Sequence, residues 1–191
     1  MGASQEGSTR EANSMTKLNV GSGIVRKPGF VSVDLYERKA DIQAAAHELG
    51  MYGNGSVEEI FTSHMIEHLS PQDFEAALRE WHRVLQPGGK LTIRCPNFPI
   101  YAREFAEGSD DYRYGKDGSG KGAWGLLNIF GHQTGGPGYL TRTGFSPERL
   151  QRILPRFGFR ITRCEAVRTR QGSGIEFRRD GDILCEAVKA T

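Results

Sequence analysis

The sequence predicts an α/β fold of the doubly wound kind. Three observations carry that reading. Short apolar strands alternate with capped amphipathic helices along most of the chain. The first strand runs into a glycine turn, Gly21-Ser22-Gly23, and the second ends on an acid, Asp34. The last two apolar runs, Phe159 to Val167 and Asp182 to Val188, read as an antiparallel hairpin that closes the sheet.

In chain order, Leu18-Asn19-Val20 and Phe30 to Val33 are short runs with the character of buried strands. Ala40-Asp41-Ile42 is a third, very short one, and Val57 to Thr62 a fourth. The clearest helix follows. Ser70 caps it, Pro71 suits its first turn, and Asp73 completes a capping-box-like start. Phe74, Ala77, Leu78, Trp81 and Leu85 recur at helical spacing and form its core stripe, and Pro87-Gly88-Gly89 stops it. Lys90 to Arg94 is the next strand. A second helix starts at Ser146-Pro147, carries the stripe Leu150, Ile153, Leu154 and Phe157, and ends at Gly158.

The totals bound the class. A chain of 191 residues is long enough for one domain with a real core, and we expect one over residues 15–191, preceded by a disordered leader at 1–14 with Met15 as a natural start. The 25 glycines exceed the average share, which predicts long loops. The longest is an insertion at about 98–145, rich in Gly, Tyr, Asp and Asn, expected to act as a lid or substrate region. A net charge of +2 calls for no nucleic-acid partner. Cys95, Cys164 and Cys185 are scattered and odd in number, which fits reduced thiols in the cytoplasm. No apolar run approaches the ~18 residues of a membrane span, and residues 1–14 lack the apolar centre of a signal peptide.

Ligands of open α/β sheets sit at the carboxyl ends of the strands, where Gly21-Ser22-Gly23 and Asp34 both fall. Glycines let a ligand approach the backbone, and Asp34 can accept from a ribose diol. A dinucleotide site separates these features by about 20 residues and a helix whose amino end holds the pyrophosphate. Here Gly23 and Asp34 are only 11 apart, with Lys27-Pro28-Gly29 between them. That leaves no room for the helix. A ligand with adenosine at one end and a small zwitterion at the other, such as S-adenosylmethionine (SAM), needs no phosphate cradle.

The ordered set LNVGSG, VSVDL, VEEIFTSHMIEHL, LREWHRVLQPGGKLTIRCPN and GFSPERLQRILPRFGFRITR resembles class I SAM-dependent methyltransferases. More closely it resembles a small bacterial subgroup with a shortened first crossover. The resemblance covers most of residues 17–165 and is most specific from Val57 to Asn97. It implies a Rossmann-like doubly wound sheet of about seven strands with the last antiparallel, and SAM as cofactor. Carried over by position, Gly21, Ser22 and Gly23 line the methionine part, with Asn19 also counted as a cofactor contact. Asp34 holds the ribose and Leu35 packs on the adenine. Ser63, His64 and Met65 flank the cofactor near the reacting methyl. Many relatives place an acid after the third strand to accept from the adenine amino group, but Ala45 stands there. Adenine recognition then falls to backbone atoms, another residue, or Asp41.

Methyl transfer to a neutral hydroxyl or an ammonium also requires removal of a proton, and a base assists. The candidates are His64, Glu67, His68 and His132. His64 comes first, just past the fourth strand, and His132 could reach over from the insertion. His64-Met65-Ile66-Glu67-His68 also spells the zinc-hydrolase pattern H-x-x-E-H, but it lies between strand and helix rather than on a helix, so we expect no such centre. Ubiquinone-pathway and small-RNA O-methyltransferases carry E-x-x-E-H in this place and bind a divalent ion. Glu67 and His68 match that pattern and His64 stands where the first Glu would, so the expectation is no metal, with a partial site at Glu67 and His68 as the alternative.

Asn97, Tyr139 and Arg142 are the expected substrate contacts, on or beside an insertion whose aromatic and charged residues suit a small polar molecule. The resemblance adds a saccharide or natural-product intermediate as the acceptor class. Two other readings compete. One is a non-catalytic methyltransferase-like subunit supporting a partner, favoured by Ala45 and the missing helix. The other is an RNA methyltransferase, favoured only by the basic tail from Arg149 onward. The shortened first crossover leaves the cofactor thinly covered, so a second copy of the chain in a homodimer, or the insertion itself, is expected to cover it.

Overall fold

The computed structural model describes residues 16–106, 129–131, 137–168 and 181–190. His132, residues 1–15 and the insertion aromatics Tyr112, Tyr114 and Trp124 lie outside them. The strands are β1 (Thr16–Val20), β2 (Val31–Asp34), β3 (Ile42–Gln43), β4 (Val57–Ser63), β5 (Leu85–Pro96), β6 (Phe159–Val167) and β7 (Asp182–Lys189). They form one sheet in the order β3-β2-β1-β4-β5-β7-β6. The pairs from β3 to β5 are parallel. β7 runs antiparallel to both β5 and β6, so the last strand is the reversed one. Strand order turns around at β1 and β4, and the carboxyl ends of those two strands open the crevice where ligands bind in this architecture.

The helix α1 (Pro71–Val84) joins β4 to β5. Ser70 Oγ accepts from the Asp73 backbone N–H at 3.1 Å and donates to its carboxylate at 2.7 Å, the reciprocal cap the sequence predicts. Phe74, Ala77, Leu78, Trp81 and Val84 form its buried face. Leu85 is the helix C-cap and the first residue of β5, so the helix ends one residue before the predicted stripe does. The strand runs through Pro87-Gly88-Gly89, with Gly88 at φ +73°, and Leu85 already pairs with Val57.

Two further departures have local causes. The helix α2 (Phe98–Ala106) occupies the start of the insertion, where the sequence reading places only loop. The helix α3 (Pro147–Ile153) stops short of Phe157 because Pro155 has no N–H for the ladder. Residues Leu154–Phe157 continue as a 3-10 turn, closed by Gly158 in the left-handed region. The core lies between the sheet and these helices: Leu18, Val33, Ile60, Leu91 and Ile183 from the strands meet Trp81, Leu78, Leu150 and Leu154.

Candidate active site

At the carboxyl ends of β1, β2 and β4 lies a cavity of about 570 Å³, within the range of small-ligand sites. Its floor is the turn after β1. Gly21 N–H and Ser22 N–H both donate to the Val33 carbonyl, at 2.8 and 3.2 Å, which folds the chain directly back onto β2. Gly21 sits at φ +69°, and a Cβ there would lie 2.0 Å from Met65 Cγ. Only glycine allows the turn and its contact with the β4 end.

Residues 21–30 contain no helix, so no helix amino end faces the turn. Asp34 organises this region instead. Its Oδ2 accepts from Gly23 N–H at 2.8 Å, and its Oδ1 accepts from Tyr36 and Glu37 N–H at 2.8 and 2.9 Å. One carboxylate thus fastens the glycine turn to the segment beyond β2, three N–H groups engaging both oxygens. Leu35, Tyr36, Ala44, Ala45 and Ala46 supply an apolar wall beside it. That wall is anchored from behind by α1. Trp81 Nε1 donates to the Ala46 carbonyl at 2.8 Å, and Glu80 accepts from Leu49 N–H at 3.1 Å.

On the other side, Ser63, His64, Met65 and His68 line the cavity from the end of β4 and the turn after it. The segment 137–145 closes over that turn. Arg142 and Thr143 N–H donate to the Glu67 carbonyl at 2.8 and 3.1 Å, and Thr143 Oγ1 donates to the Leu69 carbonyl at 2.9 Å. His68 Nδ1–H donates to the Leu140 carbonyl at 3.1 Å. Phe145 stacks edge-on against Phe74 of α1, with centroids 4.9 Å apart. This docking brings Gly138, Tyr139 and Arg142 to the cavity wall. A Cβ on Gly138 would meet the Tyr36 ring at 2.6 Å, so the segment lies flat on that ring.

Of the residues expected at the cofactor, Gly21, Ser22, Gly23, Asp34, Leu35, Ser63, His64 and Met65 line this cavity together. Asn19 and Asp41 do not. Asn19 is buried on β1 and its Nδ2 donates to the Val25 carbonyl at 3.4 Å, bracing the turn from behind. Asp41 Oδ2 accepts from Ser32 N–H and Oγ–H at 2.8 and 2.6 Å, and the Ser32 hydrogen bonds hold the carboxyl below its ordinary pKa. Its work is to pin the start of β3 to β2. Among the expected substrate contacts, Tyr139 and Arg142 reach the cavity, while Asn97 is buried outside it, bridged to Phe145 and bonded through its N–H to the Gly181 carbonyl at 2.9 Å.

The residue that sequence reasoning missed is Asp182, the fully buried first residue of β7. His64 Nε2–H donates to its Oδ2 at 3.2 Å, and Arg94 Nε–H donates to the same oxygen at 2.7 Å. No local pattern could have paired positions 118 residues apart. Burial pushes the Asp182 pKa up, but the hydrogen bonds and charges of His64 and Arg94 outweigh it and the net shift is downward. Burial pulls the His64 pKa down, yet the Asp182 hydrogen bond and the Glu67 and Asp182 charges more than offset this, and His64 ends above the ordinary histidine value. Glu67 Oε1 lies 3.7 Å from His64 Nδ1 and 4.0 Å from His68 Nε2. Burial raises the Glu67 pKa, and the two imidazoles only partly counter it. Among the described residues, no three His, Cys, Asp or Glu side chains form a group able to hold a metal ion.

Residues 22–93 match the family model described as a methyltransferase domain. No protein of curated function matches the chain. Solved structures with the same fold include a SAM-dependent methyltransferase of Thermotoga maritima, described as a possible histamine N-methyltransferase. It is 18% identical, with 91% of this chain and 82% of that one covered and a TM-score of 0.59. A SAM-dependent methyltransferase of Methanosarcina mazei is 14% identical, with 92% of each chain covered and a TM-score of 0.61. The 1,6-didemethyltoxoflavin-N1-methyltransferase of Burkholderia thailandensis, solved with that compound and S-adenosylhomocysteine, is 17% identical over 92% of this chain and 71% of that one, with a TM-score of 0.55. The matched segment and the fold are those of SAM-dependent methyltransferases, which use SAM as the methyl donor. The cavity fits that cofactor: it has an apolar wall for a purine, a carboxylate at the end of β2 and no helix amino end to hold a pyrophosphate. Among the described residues, no helix is long and apolar enough to cross a membrane.

Proposed function

We propose that the chain methylates a small polar acceptor at a hydroxyl or amine whose proton passes to His64. The observation that carries this reading is the position of His64: its imidazole lines the cavity, its side chain is 40% exposed, and its Nε2 is engaged by a buried carboxylate. With Nε2 donating to Asp182, Nδ1 is the nitrogen left to accept a proton. SAM supplies a methyl carbon on an already activated sulfonium. The protein's own work is to align the acceptor in line with that carbon and to receive the proton. The acceptor atom loses its proton to Nδ1 and bonds the methyl carbon, and the electrons of the broken C–S bond stay on sulfur.

Gly21, Ser22 and Gly23 would receive the methionine end, Asp34 the ribose, and Leu35 with the Ala44–Ala46 wall the adenine. Tyr139 and Arg142 would meet the acceptor. The cavity volume and the Burkholderia neighbour's bound 1,6-didemethyltoxoflavin favour a compact acceptor over a nucleic acid, and a saccharide or natural-product intermediate fits this setting. The test is calorimetry with SAM and S-adenosylhomocysteine, followed by label transfer from methyl-labelled SAM to a panel of saccharides and N-heterocycles. Binding of both compounds and transfer that His64→Ala abolishes are expected. Binding of neither would leave the non-catalytic reading ahead, and transfer to RNA with a steep salt dependence would replace the small acceptor.

A further inference from the structure

We propose that Asp182 and Arg94 form a positioning unit for His64, fixing its imidazole with Nε2 protonated and Nδ1 turned to the acceptor. The proposal rests on the reading of His64 as the base. Its geometry is a closed triangle across three neighbouring strands. His64 backbone N–H donates to the Arg94 carbonyl at 2.8 Å, its ring donates to Asp182 at 3.2 Å, and Arg94 Nε–H donates to the same Asp182 oxygen at 2.7 Å. Arg94 therefore grips His64 at the main chain directly and at the ring through Asp182. A further donation from Arg94 Nη2 to the Arg168 carbonyl, at 2.7 Å, fixes the guanidinium itself.

The register explains why the three meet. Ser63 pairs with Arg94 at the end of β4, and Pro96 pairs with Asp182 where β7 begins. His64 leaves β4 at φ +51°, the one non-glycine residue with positive φ among those described. That conformation is uncommon for a side chain with a Cβ, and it turns the ring out of the strand direction toward β7 and the cavity. A carboxylate clamped by an arginine can only accept, so the imidazole must present an N–H to it. This settles the tautomer. Among the described residues, the charged groups facing the ring are Asp182 from β7, Arg94 from β5 and Glu67 from the turn after β4. A proton arriving on Nδ1 is received 3.7 Å from Glu67 Oε1, so the imidazolium is held between two carboxyl groups.

The test uses the full chain with ¹⁵N-labelled histidine, and long-range ¹H–¹⁵N spectra that report tautomer and titration of each ring. In the native protein His64 should hold the Nε2–H form. Asp182→Asn should mix the tautomers and lower the His64 midpoint, because an acceptor charge is lost. Arg94→Gln should move the midpoint the opposite way, because an opposing charge is lost. Both variants should bind S-adenosylhomocysteine within about twofold of native, since neither residue lines the cavity. With an acceptor in hand, Asp182→Asn should lower kcat on the order of a hundredfold, shift the acid limb of its pH profile downward and leave KM unchanged. An unchanged His64 tautomer and midpoint in both variants overturns the positioning unit. Full transfer by His64→Gln overturns the base assignment instead, and the spectra still score the triangle. If Asp182→Asn does not fold, the Arg94→Gln midpoint alone decides.

Discussion

Between β1 and β2 the chain turns back through residues 21–30 without a helix, whereas between β4 and β5 it builds α1 and buries one whole face of it. Both connections border the same cavity. The second is held by apolar burial, with Trp81, Leu78 and Phe74 packed under the sheet and polar reach from Trp81 and Glu80 into the cavity wall. The first buries almost nothing: Ile24 is 84% and Val25 64% exposed. Its shape comes from hydrogen bonds, chiefly those of Asp34 and the paired donors of Gly21 and Ser22. The contrast teaches that a cofactor crevice can be organised on one side by packing and on the other by a single carboxylate.

The largest effect should follow removal of the packed side's anchor. Trp81→Ala is expected to destabilise the fold by about 3–5 kcal/mol in urea unfolding, and to weaken S-adenosylhomocysteine binding through the freed Ala46 wall. Intact binding at native affinity would mean the wall stands without α1. Asp34→Ala should weaken that binding by roughly 1–3 kcal/mol while costing less global stability than Trp81→Ala. The reverse order of stability effects would break the comparison. Ser70→Ala should cost about 1 kcal/mol of stability through loss of the α1 cap, with binding unchanged.

A slope rather than a step is expected from Glu67, in the turn before α1. Its folded pKa is raised, so the folded state holds a proton that the unfolded chain releases, and stability falls as pH rises above the ordinary glutamate value of 4.5. His64, also raised, adds a second loss as pH climbs past its ordinary value of 6.5 toward its folded value. Asp182 acts oppositely: its lowered value stabilises above the ordinary 3.8 and is lost as pH falls through the folded value. Glu67→Gln should flatten the decline that begins above pH 4.5, and an unchanged slope there would place the effect elsewhere. Smallest of all, Ile24→Ser should move stability by no more than about 0.5 kcal/mol; a larger loss would mean the open turn is packed after all.

The elements stabilised by nearby residues were legible in the sequence. The α1 cap and its stripe are set by spacings of a few residues, the two closing strands show as apolar runs of their own, and the short gap from Gly23 to Asp34 reads directly as a connection with no helix. What escaped depends on distant partners or on competition. Asp41 carries the right chemistry for a ligand, but Ser32 across the β2–β3 pair claims it first. Asn97 follows β5 as expected, yet its docking against Phe145 and Gly181 draws it away from the cavity. Asp182 looks like an ordinary strand start until the sheet order sets it beside Pro96. In α3 the apolar stripe continues past the point where Pro155 ends the helical ladder, so periodicity outran backbone chemistry.

The strand order has a consequence for how the molecule comes into being. β7 fills the slot between β5 and β6, so on a ribosome both of those strands emerge with bare edges facing a gap. Until β7 slips in, the imidazole at the end of β4 lacks the Asp182 carboxylate at its Nε2. The triangle of His64, Arg94 and Asp182 is therefore completed by the same event that seals the sheet.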